Sequence, residues 1–350
     1  MATFKKKFEM RGHGIHSGAP VRMVIKPSKD KGIYFCRVDL DKKLALPAIY
    51  SNVGETKMRN TTIGNMDGAH VQTVEHLMAA LMIVGVDSAI IEINGPEVPI
   101  MDGSAYEFMK KFLSVGVVGA KPKKIIVKKE VVVTSDEAKK NIAWTEKLKF
   151  WILNKLAGRK TNGFVKLMPN DGKSFNVSAT LVYPEKIIGD ISFSYKFNNT
   201  KKSRDVFMQD IARARTFGKI SEWDVLKKHG MAHGANEHNV IVVNAKGDGT
   251  LNKLFWPDEF VRHKLIDAIG DMWTSGGVII GDLVSYKGSH ALNNLVLRKL
   301  FSNPENYEIV EKKKKAFEVV VDLRLGKGES SVYTCDFSLD YVHINADYTT

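Results

Sequence analysis

With 350 residues, 44% of them hydrophobic, the chain has the apolar material for two domains or one large one, which excludes a disordered or fibrous protein. Fifty-two Lys+Arg against 39 Asp+Glu give a formal charge of +13, so the surface attracts anions such as phosphates, nucleotides, nucleic acid or an acidic membrane without choosing among them. Cys36 and Cys335 are the only cysteines, which excludes a disulfide framework and thiolate metal ligation and fits a reducing compartment.

In chain order, the basic start Met1 to Lys7 leads into polar, glycine-rich sequence where a signal peptide needs an apolar core, and no run of about 18 apolar residues follows anywhere. Residues 71–82 predict a strongly apolar helix, with Thr73 near its start and Gly85 near its end, and this helix carries Glu75 and His76. An alternating strand at 89–93, a loop with Gly103-Ser104-Ala105 and a helix over 106–113 come next. The glycine, proline and lysines of 119–124 mark a linker and place a domain boundary there. Beyond it, 125–127, 131–133 and 240–243 read as strands.

The segment 263–271 sets His263, Asp267 and Asp271 four residues apart in an apolar, helix-periodic run, so the three project from one helical face. Burying Leu265, Ile266 and Ile269 carries that polar stripe inward, where unpartnered charge costs several kcal/mol. A cation supplies the partner: His at i and Asp at i+4 reach one metal, Zn(II) being the usual occupant of such mixed sites. A zinc site needs a third ligand, and His76 is the best candidate. A lone histidine there reads more simply as a core residue; the incomplete ligand set on a second helix shifts the reading. After 263–271 come the apolar stretch 278–280, Gly288-Ser289-His290 and a helix through 295–300. Helix, strand, loop and helix thus occur in the same order in both halves. The expected fold is α+β, with two similar strand-and-helix domains facing each other, each a two-layer sandwich, and the metal site between them.

Several stretches carry a resemblance: Gly14-Ile15-His16-Ser17-Gly18, Arg59-Asn60-Thr61-Thr62, Thr73-Val74-Glu75-His76-Leu77 and Asn94-Gly95-Pro96-Glu97 through Ser104 in the first half. In the second half they are Ala214-Arg215-Thr216-Phe217-Gly218, Asp258 through Lys264, Asp267 through Asp271 and Gly288 through Asn294. Their identity and order resemble the UDP-3-O-acyl-N-acetylglucosamine deacetylase family, zinc amidases of lipid A synthesis, over most of residues 4–303. The resemblance implies a cytoplasmic enzyme with domains at 1–120 and 125–305. It makes His76, His263 and Asp267 the zinc ligands, the set also reached from spacing, and Glu75 the general base that takes a proton from water. It makes His290, in a loop, the second catalytic histidine, stabilising the oxyanion and protonating the departing amine, with Asp271 holding its imidazole charged and oriented. Thr216 becomes a hydrogen-bond donor near the scissile carbonyl. Lys264 meets the anionic part of the substrate, Phe217 sits against its sugar or acyl portion, and His16 is a further substrate-site histidine. The same ligands accept Fe(2+) in place of Zn(2+). The implied partner is a UDP-linked acylated amino sugar, with no nucleic acid, and a monomer is expected. The family's acyl passage corresponds to about residues 223–243; Lys219, just before it, and His238 within it depart from the family's pattern.

Two regions do not fit the family. Residues 137–162 read as an insertion; its Leu148, Trp151, Ile152 and Lys155 share a helical side, a composition that suits either a packed surface helix or transient contact with the inner-membrane surface. Residues 316–350 resemble the C-terminal end of the glutamate N-acetyltransferase family without its threonine nucleophile, so no acetyltransferase activity is expected; the stretch is either a strand pair packing on the second domain or a product of gene-model or assembly error. Two rivals stay open on sequence alone: a zinc amidohydrolase of the same fold acting on another acylated amino sugar, and a non-catalytic protein that binds anions or nucleic acid.

Overall fold

The computed structural model describes residues 1–41, 44–54, 60–65, 68–140, 162–228 and 230–311; nearly all of the 137–162 insertion and the whole of 316–350 lie outside the described residues. The first sheet is built from β1 (Phe8–His13), β2 (Pro20–Pro27), β3 (Gly32–Arg37) and β4 (Ala45–Pro47), joined after helix α1 (Glu75–Val84) by β5 (Ser88–Ile93). Its order is β1-β2-β5-β3-β4, antiparallel except for the β3/β5 pair. Residue types alternate along these strands, so Val21, Met23 and Ile25 of β2 and Ile33 and Phe35 of β3 turn to the core while their neighbours face outward.

From Leu77 to Val84 helix α1 is apolar on every side, and all of its residues, Glu75 and His76 included, are buried. It starts at Glu75, two residues after the expected Thr73. It stops at Gly85, whose left-handed φ of 80° lets its N–H reach the carbonyls of Leu81 and Met82, each at 3.0 Å. Helix α2 (Tyr106–Val115) is amphipathic and buries Phe108, Met109, Phe112 and Val115.

The second sheet draws on β6 (Lys124–Val127), β7 (Val131–Thr134), β8 (Phe164–Met168), β9 (Phe175–Val182) and β10 (Asp190–Phe197). After α3 (Lys201–Asp210), the short β11 (Phe217–Lys219), α4 (Ile220–Lys228) and β12 (Ile241–Val243) form a separate parallel β-α-β ribbon. The strand expected at 240–243 therefore belongs to this ribbon rather than to the main sheet. The long helix α5 (Glu259–Trp273), β13 (Val278–Tyr286), α6 (His290–Phe301) and β14 (Tyr307–Val310) complete the described chain. The main path of this sheet is β7-β8-β13-β6-β14, with β9 also on β13 and β10 on β9. Strand β13 runs parallel to β6 through its first residues and parallel to β9 from Gly281 onward.

The two sheets and their helices share one hydrophobic core, and residues Met1–Glu311 make one compact unit. At its centre α1 packs against α5. Gly270 makes that crossing close: a Cβ there would lie 1.9 Å from the Glu75 carbonyl oxygen and 3.1 Å from the Ala79 nitrogen. Glycine in mid-helix costs about 1 kcal/mol relative to alanine, and here it allows the two backbones to touch. Among the described residues no helix is long and apolar enough to cross a membrane.

A candidate metal centre where two buried helices cross

The close crossing brings the first turn of α1 against the middle of α5. His76 projects from the former, His263 and Asp267 from the latter, one turn apart. Both His76 Nε2 and His263 Nε2 lie 3.4 Å from Asp267 Oδ1, and the three ligand atoms fall within 4.8 Å of one another. His263 Nδ1–H donates to the Ala214 carbonyl at 3.0 Å, which leaves its Nε2 lone pair facing the cluster. Burial pushes the His263 imidazole down to about 3, so it is the neutral, ligating form. Burial alone would raise Asp267; the Lys264 ammonium, bonded to Oδ2 at 2.8 Å, and the imidazoles of His263, His76 and His290 together outweigh it and hold the carboxyl well below its usual range. Asp267 Oδ1 is buried and, among the described residues, has no hydrogen-bond partner. A buried anionic oxygen without a donor, facing two imidazole nitrogens, fits a cation and little else.

A second set of groups surrounds the first. Glu75, Asp267 and His290 also bring ligand-type atoms within 4.8 Å of one another. Glu75 opens α1, where the helix N-terminus favours an anion, and its Oε2 accepts the Thr61 N–H at 3.0 Å. Burial pushes its carboxyl up, against the opposing pull of His290 and His76. His290 Nδ1–H donates to Asp271 Oδ2 at 2.8 Å, and its Nε2 lies 3.9 Å from Asp267 Oδ2. Burial works against an imidazolium here, but the charge and hydrogen bond of Asp271 dominate and push His290 up to about 9. The structure corrects the expected loop position: His290 is the first residue of α6. Ser289 is its N-cap, accepting the Leu292 N–H at 3.3 Å, and that bond lets the helix begin at the histidine.

The Phe217 ring stands edge-on to His263 at 6.2 Å and to Phe260 at 5.1 Å, with Lys264 Nζ 5.9 Å from its centroid. Thr216 precedes it, its N–H bonded to Gly103 and its carbonyl to Ile241. His16 lies in the turn after β1, where Glu97 accepts its main-chain N–H at 2.9 Å and its carbonyl accepts from His233 at 3.1 Å. These bonds tie the His16 main chain to Glu97 and to His233. A small pocket opens beside the cluster, its wall including Leu181, Lys264, Asp267, Ser289, His290 and Asn293. Sequence reasoning gave no role to Thr61 or Asn293, both of which donate to Asp271. A neutral hydroxyl and amide carry no signal of their own, and Thr61 meets Asp271 across 210 residues of chain.

Residues 1–302 match the model of the family described as UDP-3-O-acyl N-acetylglycosamine deacetylase. The chain belongs to that family. Relatives bearing the name UDP-3-O-acyl-N-acetylglucosamine deacetylase include one from Myxococcus xanthus, 37% identical over 90% of this chain and 91% of its own length. Others come from Alcanivorax borkumensis, 35% identical over 88% of this chain and 92% of the relative, and from Neisseria meningitidis, 33% identical over the same shares. The ArgJ family model matches residues 283–350, which begins earlier than the 316 expected and overlaps the end of the deacetylase match.

Proposed function

We propose that this chain hydrolyses the acetamide of UDP-3-O-acyl-N-acetylglucosamine, giving UDP-3-O-acyl-glucosamine and acetate, in lipid A biosynthesis. Family membership supports the substrate, and the single observation that carries the chemistry is the convergence of His76, His263 and the unpartnered Asp267 oxygen beside Glu75 and His290. The ligands are His76, His263 and Asp267; their nitrogen and oxygen atoms suit Zn(2+), and Fe(2+) fits the same set. A cation held by these three residues would supply Lewis-acid polarisation of the amide carbonyl and would lower the pKa of water toward neutrality.

The rest of the chemistry belongs to the chain's own groups. Glu75, with its carboxyl raised toward the working pH, takes the proton from the attacking water. His290, kept protonated by Asp271, offers charge to the developing oxyanion and delivers a proton to the glucosamine nitrogen as the C–N bond breaks. Thr216 donates a hydrogen bond near the same oxygen. Lys264 attracts the anionic substrate, Phe217 packs against its sugar or acyl portion, and His16 contacts it from the neighbouring loop. The chain is read as a cytoplasmic monomer with halves at 1–120 and 125–305, each contributing one ligand-bearing helix. The β11-α4-β12 ribbon is read as a wall of the acyl passage.

The test is metal content and acetate release from the acylated UDP-sugar, on wild type beside His263→Ala and Glu75→Ala. About one metal per chain with turnover, metal lost in the first variant and only turnover lost in the second, supports the reading. A metal-bearing wild type that leaves the acetamide intact overturns the substrate assignment.

A further inference from the structure

Thr61 touches both sides of the site. Its main-chain N–H donates to Glu75 Oε2 at 3.0 Å, while its hydroxyl donates to Asp271 Oδ1 at 2.5 Å. The same hydroxyl oxygen lies 3.1 Å from His290 Nδ1, whose proton goes chiefly to Asp271 Oδ2 at 2.8 Å. A threonine hydroxyl has one proton to give and two lone pairs to share, so it serves the carboxylate as donor and the imidazole as second acceptor at once. The Thr61 carbonyl accepts from the Val74 N–H at 3.3 Å, which fastens this segment to the residue before Glu75. Thr61 is only 3% exposed, so water does not replace these bonds.

Without Thr61, Asp271 would keep donors among the described residues on one oxygen only, His290 and Asn293 both bonding Oδ2. Nothing would then fix the plane of the carboxylate, nor the tilt of the imidazole that follows it. A misplacement of about 1 Å in a reacting group costs about a hundredfold in rate.

We propose that Thr61 is a positioning residue for the hydrolysis: its main chain aims the Glu75 carboxylate and its hydroxyl locks the Asp271–His290 pair, so that both groups address one carbonyl. This role rests on the functional reading above. Thr61→Val isolates the hydroxyl, because valine keeps the β-branched shape and the main-chain N–H.

The experiment compares Thr61→Val and Thr61→Ser, each alone and combined with His290→Ala, by metal content, steady-state kinetics and ¹⁵N-histidine NMR. Thr61→Val keeps its metal and its KM, lowers kcat by about 10–100-fold, and regains most of it as Thr61→Ser. On the His290→Ala background the valine changes kcat by less than about twofold, because the pair it serves is gone. In the NMR spectrum, which needs no substrate, Thr61→Val moves the His290 Nδ1–H signal and Thr61→Ser returns it. Independent, multiplying effects of Thr61→Val and His290→Ala overturn the proposal, as does a serine variant as impaired as the valine or an unmoved signal. If the valine variant does not fold, Thr61→Ala carries the same comparison. If the wild type leaves the acetamide intact while the NMR signal responds as stated, the substrate assignment falls and the positioning role stands.

Discussion

The starts of α2 and α6 occupy equivalent places in the helix-strand-loop-helix order of the two halves, yet of the two only the start of α6 places a titratable side chain at the candidate metal centre. In the first half Ser104 and the buried Ala105 open α2. The Ser104 hydroxyl bonds Asp102 and accepts the Tyr106 N–H at 3.0 Å, while the Ala105 N–H goes to the Ala212 carbonyl at 3.0 Å. In the second half Ser289 and His290 open α6, and the imidazole turns onto Asp271. A helix N-terminus disfavours an imidazolium by about 0.3–1 kcal/mol. His290 is nonetheless pushed up to about 9, so the facing carboxylate, buried with it, decides the outcome rather than the helix. The lesson is that a repeated scaffold fixes where a group stands, while its titration is set by what packs across from it.

The largest break in this comparison is expected at the candidate metal centre, whose His76, His263 and Asp267 come from α1 and α5. His263→Ala is expected to lower metal content from about one per chain to under about a tenth and turnover at least about a thousandfold, measured by elemental analysis and acetate release. Glu75→Gln should keep the metal and lose about 10²–10⁴-fold in kcat, since the amide has no basic oxygen to take the proton.

Gly270→Ala tests the crossing itself. A methyl 1.9 Å from the Glu75 carbonyl forces α1 and α5 apart, with an expected loss of about 1–3 kcal/mol in denaturant unfolding and a weaker metal affinity.

The pH profile sharpens the contrast between the two helix starts. His290 must be protonated to act as acid, so kcat/KM falls as pH rises through its pKa; that limb lies at or below about 9, because a bound cation only lowers it. Glu75 must be ionised, so activity also falls as pH drops through its raised pKa. His290→Ala removes the alkaline limb and leaves the acid one.

The smallest effects separate the two serines. Ser289→Ala, which removes the N-cap of α6, and Ser104→Ala, which removes the acceptor of the Tyr106 N–H, should each cost about 1 kcal/mol of stability. Only the first should also change kcat, because only its helix opens on a group that meets the reacting centre.

Much of this was legible in the chain. The four-residue spacing of His263, Asp267 and Asp271 put them on one face of a helix, and α5 bears them so. The alternating strands at β2, β3 and β5 and the apolar run of α1 were readable from periodicity, and the family from its motifs. Local errors had local causes: the Thr73 start overlooked that its positive φ of 58° keeps it out of the helix, and the loop assigned to His290 overlooked Ser289 as a cap.

Residue types and their spacing by themselves determined much of the secondary structure and the placing of His263 and Asp267 one turn apart on α5, because each depends on neighbours within a turn or two, and composition alone set the basic charge. Only the tertiary structure decided that His76 meets His263, that Gly270 permits the approach, and that Thr61 joins Glu75 to an Asp271 lying 210 residues away. Contacts over such distances follow from how two sheets stack their helices on one core, and no local pattern encodes that. The protonation of His290 belongs to the same class, since it is set by burial and by a carboxylate on another helix.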